Sequence, residues 1–376
     1  MAMVSVLCAT ASYMAPSPML QLPVVRQPRV VAQTMMAGMP LTKGSYVALT
    51  TPMTPEGAVD IPTLRELLKW HVDQGTDGIV ILGTTGEASV LTNDEKEDVM
   101  AATRDEVGGK VPIVVGTGTI STTQTIASTK QAARFGADAA LIVTPYYVKP
   151  SQAGLMHHFT TIADAVDIPI ILYNVPGRTG VDMSVETTVA LSRHPMIAGL
   201  KDATGDNTRV APMRAIMGDD FRMYSGEDAM ARDYVLQGGD GVISVTANVA
   251  PNAVSRVMSA AAAKDAAAAE KADSPLAALH RDLFCEANPI PVKWALGKMG
   301  KIPYGIRSPL VELGVDFHSR VEGALQQGGC IERTSSRESG SLGWPSRDLL
   351  LQVRDLPCIS PRPIALADML PRMALA

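Results

Sequence analysis

The sequence predicts a parallel (β/α)₈ barrel of the TIM type followed by a small C-terminal helical domain, on three observations. Eight short apolar runs recur between residues 45 and 245, and stretches with apolar positions at helical spacing separate them. The runs are also near-continuous in Val, Ile, Leu and Ala instead of alternating with polar residues. Continuous runs are what parallel strands need, because helices cover both faces of such a sheet.

The predicted strands are Ser45–Leu49, Gly78–Leu82, Pro112–Gly116, Ala139–Val143, Ile168–Leu172, Ile197–Leu200, Phe221–Tyr224 and Gly241–Val245. Ile61–Gln74 and Asn93–Val107 read as the first two intervening helices. Thr92 with Glu95 three residues later has the pattern of a capping box, in which hydroxyl and carboxylate each satisfy a free backbone N–H. An open doubly wound sheet is the rival architecture, but it calls for six strands and a GxGxxG turn. Eight strands alternating with helices favour closure. After Val245 the strand signal stops, and residues 251 to about 327 are helical in pattern, including the alanine-dense Ala260–Ala272 stretch.

The expected organisation is a leader over 1–43, the barrel over 44–250, the helical domain over 251–328 and a tail over 329–376. The tail opens on a polar run, Thr334–Ser341, and is expected to be disordered. The leader holds Arg26, Arg29 and Lys43 among Ser, Thr, Ala, Met and Pro, and the first acidic residue of the chain is Glu56. Acid-free leaders of this kind read as organelle transit peptides; a tail without an address is the alternative. The apolar Met3–Ala11 run would suit a signal segment placed before it, hence a plastid (chloroplast) reached through the secretory route, with mitochondrion or cytoplasm as alternatives.

Composition excludes several functions. A net charge of -5 and 4% aromatic residues fit neither the basic stripe nor the stacking platforms of a nucleic-acid surface. No window approaches the ~18 apolar residues of a membrane span, so neither nucleic acid nor membrane is an expected partner. Cys8, Cys285, Cys330 and Cys358 form no CxxC pair, and the six histidines form no i, i+4 pair. No metal site is expected. His157 and His158 read as ordinary surface or interface residues.

In a barrel of this type the chemistry lies at the C-terminal ends of the strands. Those ends read Thr50-Thr51-Pro52, Gly83-Thr84-Thr85-Gly86-Glu87, Gly116-Thr117-Gly118, Thr144-Pro145-Tyr146-Tyr147, Tyr173-Asn174, Lys201-Asp202, Ser225-Gly226-Glu227 and Ser244 with Thr246. Lys201 directly follows a buried run, and a desolvated ammonium has a lowered pKa that releases free amine as a nucleophile. The bland alternative is a buried lysine neutralised by Asp202 or Glu87. Tyr173, Tyr147 and Thr84 are candidates for a proton relay, or else rim fillers. The Gly83–Gly86 turn offers N–H groups and two hydroxyls to a small carboxylate. Arg178, after Pro176-Gly177, could clamp a second carboxylate, or be a solvated loop residue. The glycine-rich Gly238–Gly241 run precedes the eighth strand, at the wrong rim for a phosphate site.

Several segments closely resemble the signatures of the 4-hydroxy-tetrahydrodipicolinate (dihydrodipicolinate) synthases, in the pyruvate-dependent class I aldolase superfamily. They are Gly83–Glu87, Thr144–Tyr147, Tyr173–Gly180, Gly199–Gly205, Gly241–Val249 and Asn288–Lys293, and the resemblance runs in order from about Gly44 to about Gly328. It implies a lyase of the diaminopimelate route to lysine, without a cofactor, in which Lys201 forms a covalent imine with pyruvate and the resulting enamine attacks L-aspartate-4-semialdehyde. It implies that Tyr173 shuttles protons with Thr84 and with Tyr147 of a neighbouring subunit. Thr85 would hold the pyruvate carboxylate, Arg178 that of the semialdehyde, and Gly226 and Ile243 would also contact substrate. A homotetramer built as a dimer of dimers is the implied assembly. The alternatives are a sibling lyase acting on a 2-keto-3-deoxy sugar acid or N-acetylneuraminate, and a catalytically silent regulatory barrel. One departure stands out. Lysine-inhibited members carry Asn and Glu at an effector site where this chain has Ile120 and Gln124, with Tyr146 kept, so weak or absent lysine feedback is expected.

Overall fold

A computed structural model of the chain describes residues 39–332. The expected transit peptide and tail, with Cys8 and Cys358, lie outside the described residues except at their inner edges. Eight strands form a closed parallel barrel in sequence order, so the doubly wound alternative is set aside. They are β1 (Gly44–Ala48), β2 (Gly78–Ile81), β3 (Ile113–Gly116), β4 (Ala139–Val143), β5 (Ile170–Asn174), β6 (Ile197–Asp202), β7 (Arg222–Ser225) and β8 (Gly241–Ser244). β8 pairs with β1 to close the ring.

β5 and β6 run two residues further than their apolar runs, which end at Leu172 and Leu200. The extension is a backbone matter: Tyr173 pairs with Lys201 and Asn174 with Asp202 in the ladder. Peptide groups pair whatever side chains they carry. Lys201 and Tyr173 are therefore held on adjacent strands and not on loops.

The helices are α1 (Ile61–Asp73), α2 (Asn93–Val107), α3 (Thr122–Arg134), α4 (Gln152–Ala165), α5 (Pro176–Thr179), α6 (Val185–Leu191), α7 (Val210–Met217) and α8 (Ala231–Leu236). After β8 come α9 (Pro251–Ala262), α10 (Ala266–Asp273), α11 (Ala277–Asp282), α12 (Ile290–Lys298) and α13 (Val315–Gln327). The capping box forms as read: the Glu95 N–H donates to Thr92 Oγ1 at 3.2 Å, and the Thr92 N–H donates to the Glu95 carboxylate at 2.9 Å. The alanine-dense stretch is split between α9 and α10. Lys264 turns the chain with a φ of 61°, and Asp265 caps α10 by accepting the Ala268 N–H at 2.9 Å.

α9 packs on β1 and α8, completing the outer ring, and α10 to α13 continue on one hydrophobic core shared with α1 and α2. His158 departs from the sequence reading. It is buried on the inner face of α4, with Nδ1 2.9 Å from Thr122 Oγ1. Burial lowers its pKa to about 4, so it is neutral at pH 7.

Inside the barrel, Tyr46 and Tyr224 lie with ring centroids 5.0 Å apart, both fully buried. The Tyr224 hydroxyl donates to the Thr42 carbonyl at 2.6 Å, and Tyr46 Oη accepts the Thr42 N–H at 2.9 Å. Gly78 makes room for this plug, since a Cβ there would stand 2.1 Å from the Tyr46 ring. Closure at the opposite end is fastened by Asn248. Its Oδ1 accepts the Thr50 N–H at 3.1 Å, while Nδ2 donates to the carbonyls of Ala48 and Val245 at 2.8 and 3.0 Å.

Candidate active site

Lys201 sits near the tip of β6 between Tyr173 on β5 and Tyr224 on β7. It is only 6% exposed, and its Nζ lies 4.5 Å from the centroid of the Tyr173 ring. Burial lowers its pKa to about 8; the Asp228 and Glu227 carboxylates oppose the shift, and Arg178 adds to it. The two proposed neutralising partners are engaged elsewhere. Glu87 forms a buried ion pair with Lys293. Asp202, the next residue along the strand and so on its other face, accepts the Thr204 N–H at 3.1 Å and faces Arg209 Nε at 4.0 Å. Among the described residues no carboxylate forms an ion pair with Lys201.

Tyr173 is 8% exposed and belongs to the cluster filling the barrel interior. Burial pushes its phenol up to about 12, with Arg178 and a hydrogen bond to Thr84 pulling the other way. At neutral pH it carries its proton. Thr84, Tyr173 and Arg178 line a cavity of about 720 Å³, ample for two small carboxylates. Lys201 is not one of its walls; it stands against the ring of Tyr173, which is.

Around this pair the other candidates fall into place unevenly. Thr85 is buried and accepts from Asn288 Nδ2 at 2.9 Å. Arg178, exposed on the one-turn helix α5 that Gly180 ends at a φ of 72°, reaches the Asn288 carbonyl through Nη2 at 3.4 Å. It is thus neither buried nor a free loop arginine. Gly226 leaves space beside the amine, since a Cβ there would lie 3.1 Å from Lys201 Cε and 2.6 Å from Ala203 Cβ. Ile243, on β8, packs in the interior cluster. Tyr147 is not brought to the site by its own chain. It is 87% exposed, adopts a φ of 68°, which is uncommon for a bulky residue, and lies outside the cavity walls, which its neighbour Tyr146 joins.

Three site-shaping residues are missed by the strand-end reading. Asp228 is buried beyond β7 and is saturated by Ser244 Oγ and by the N–H groups of Val245 and Thr246 at 2.9 and 3.2 Å. Asn288 and Lys293 come from the helical region. Their segment is marked in the sequence only by resemblance, and nothing marks Asp228. Among the described residues no group of three or more His, Cys, Asp or Glu could hold a metal ion. No described helix is long and apolar enough to cross a membrane.

Comparison with known proteins agrees with this geometry. The profile of the dihydrodipicolinate synthetase family matches residues 41–328. A 4-hydroxy-tetrahydrodipicolinate synthase of Methylococcus capsulatus is 50% identical over 291 residues, covering 77% of this chain and all of the relative. The chloride-inhibited dihydrodipicolinate synthase of Acinetobacter baumannii, solved with pyruvate, superposes with a TM-score of 0.76 at 49% identity, over 77% of this chain and 100% of that one. The enzyme of Cyanidioschyzon merolae, solved with lysine bound, gives 0.74 at 35% identity over 77% and 99% of the two chains. From residue 41 to residue 328, this chain belongs to the dihydrodipicolinate synthetase family.

Proposed function

We propose that the chain acts as a 4-hydroxy-tetrahydrodipicolinate synthase, condensing pyruvate with L-aspartate-4-semialdehyde through an imine on Lys201. The observation that carries this reading is the buried amine without an ion-pair partner, set against a tyrosine that keeps its proton. With a pKa of about 8, roughly one Lys201 in ten is neutral at pH 7, against about one in three thousand for an ordinary lysine. That neutral amine adds to C2 of pyruvate, and loss of water gives the imine. Removal of a C3 proton gives an enamine whose carbon attacks the semialdehyde carbonyl, and the aldehyde oxygen takes up a proton to become the hydroxyl. The semialdehyde amine then attacks C2, closing the ring and releasing Lys201.

Tyr173 and Thr84 are the proton carriers, both on the walls of the same cavity. Thr85 receives the pyruvate carboxylate and Arg178 that of the semialdehyde, with Gly226 and Ile243 shaping the walls. Tyr147 completes the relay in a second copy of the chain, and its exposure beside the exposed Tyr146 and Val148 supports such an assembly, a tetramer made of two dimers. The sibling lyases are the weaker reading, since relatives at about half identity carry the synthase name.

Borohydride reduction in the presence of pyruvate is expected to leave a stable adduct on Lys201, located by peptide mass spectrometry and absent from Lys201→Ala. An unmodified Lys201 in the folded protein would defeat the mechanism.

Because the reactive form is the free amine, adduct formation should rise with pH up to about 8 and then level off. A rate flat from pH 6 to 9 would contradict the shifted lysine. The same shift bears on stability. Between about 8 and 10.5 the unfolded chain holds a proton that the folded chain has released, so the fold gains stability as pH climbs through that window and bears the full penalty below it.

Tyr147→Phe alone should lower kcat by about two orders of magnitude. Mixing it in equal amounts with Lys201→Ala should restore about a quarter of wild-type activity, because random exchange makes about half the dimers hybrid and each hybrid has one intact site in two. No recovery after verified subunit exchange would place Tyr147 outside the partner's site.

Ile120 and Gln124 line the same cavity as Thr84, and neither offers a charge to an amino-acid ammonium. Lysine at millimolar concentration is therefore expected to inhibit weakly or not at all; half-inhibition at micromolar lysine would refute this.

A further inference from the structure

The segment Asn288–Lys293 enters the site from the helical region and grips it in three places. Lys293 pairs with Glu87 at the end of the Gly83–Glu87 turn. Asn288 Nδ2 donates to Thr85 Oγ1 at 2.9 Å, and the Asn288 carbonyl accepts from Arg178 Nη2 at 3.4 Å. Asn288 and Thr85 are 6% and 3% exposed, so water competes poorly for these groups. A threonine hydroxyl has one proton to give and two lone pairs to offer. An amide donor on its oxygen occupies a lone pair and leaves the proton unspent. An acceptor in the same place would capture that proton and leave only lone pairs to face an incoming anion.

We infer that Asn288 is a positioning residue for the keto acid, setting the polarity of Thr85 so that this hydroxyl donates to the pyruvate carboxylate. The inference rests on the assignment of Thr85 above. It also predicts asymmetry between the substrates. The side chain of Asn288 acts on Thr85, whereas Arg178 is held by the backbone carbonyl, which side-chain substitution leaves in place. A residue that merely filled space would weaken the fold and both substrate sites alike.

The test uses the full-length chain carrying Asn288→Ala, Asn288→Asp or Asn288→Ser, each also in a Thr85→Val background. Thermal stability, the KM for each substrate and kcat are measured. Loss of one buried hydrogen bond corresponds to about a tenfold rise in pyruvate KM for Asn288→Ala. Asn288→Asp, which offers an acceptor, should raise it further, and Asn288→Ser, which restores a donor, should recover part of the loss. The semialdehyde KM should stay within about twofold of wild type. In the Thr85→Val background the Asn288 changes should shift pyruvate KM by less than about twofold, because the group they act through is gone. Equal effects in both backgrounds, or a fall in kcat at unchanged pyruvate KM, would overturn the inference. If Asn288→Ala does not fold, the Asp and Ser variants read the same polarity between them. The borohydride adduct separates the two levels of the argument. An adduct on Lys201 with a pyruvate KM indifferent to Asn288 refutes this inference alone, and no adduct in the wild-type chain refutes the mechanism beneath it.

Discussion

Holding the Lys201 ammonium inside the barrel is unfavourable, and much of the surrounding arrangement follows from not relieving that cost. A buried lysine usually finds a carboxylate, but the acids at this end of the barrel are mostly held elsewhere. Glu87 is taken by Lys293, Asp202 faces outward to Arg209, and Asp228 is saturated by Ser244 and two backbone N–H groups. Glu227 is itself pushed toward its neutral form, chiefly by burial. Asp182 is engaged with Arg209. Four of these acids are held by other groups, Glu227 leans toward its neutral form, and desolvation remains the larger influence on the amine. The result is a buried amine that gives up its proton near pH 8, at a cost to stability that the surrounding core has to offset.

The helical region takes part in this economy of charge. Lys293 neutralises Glu87, and Arg307 anchors the same corner through Glu95 and the carbonyls of Gly57 and Val90. The turn that presents Thr84 and Thr85 is thereby held from behind by residues two hundred positions later in the chain. The helical region shares one hydrophobic core with β1, β2, β3 and β8, which braces the site where it meets the small end of a substrate.

Much of this could be read in the sequence, for definite reasons. Parallel strands buried on both faces leave unbroken apolar runs, and a polar residue directly after such a run falls at the barrel mouth; Lys201 and Thr84 are visible on that ground alone. Tyr173 and Asn174 at the end of β5 were harder to place, because a polar side chain looks like the start of a loop while its peptide still pairs. Asp228 gives no local sign, since its burial depends on three donors brought in from the end of β8 and the two residues after it. The burial of His158 is not legible because α4 buries a broad face, Leu155, His158, Phe159, Ile162 and Ala163, wider than its apolar residues suggest. The exposure of Tyr147 follows from the path of a loop and has no signature in composition.

The plug formed by Tyr46 and Tyr224 carries a last consequence. With both rings fully buried, their hydroxyls tied to Thr42 and Gly78 admitting them without a gap, the floor of the barrel is sealed. Among the described residues, the cavity that meets the Tyr173 ring lies at the strand tips, so a molecule bound there enters and leaves at that end of the barrel. Traffic through one end is sequential: a bound molecule has to clear the threshold before the next can take its place.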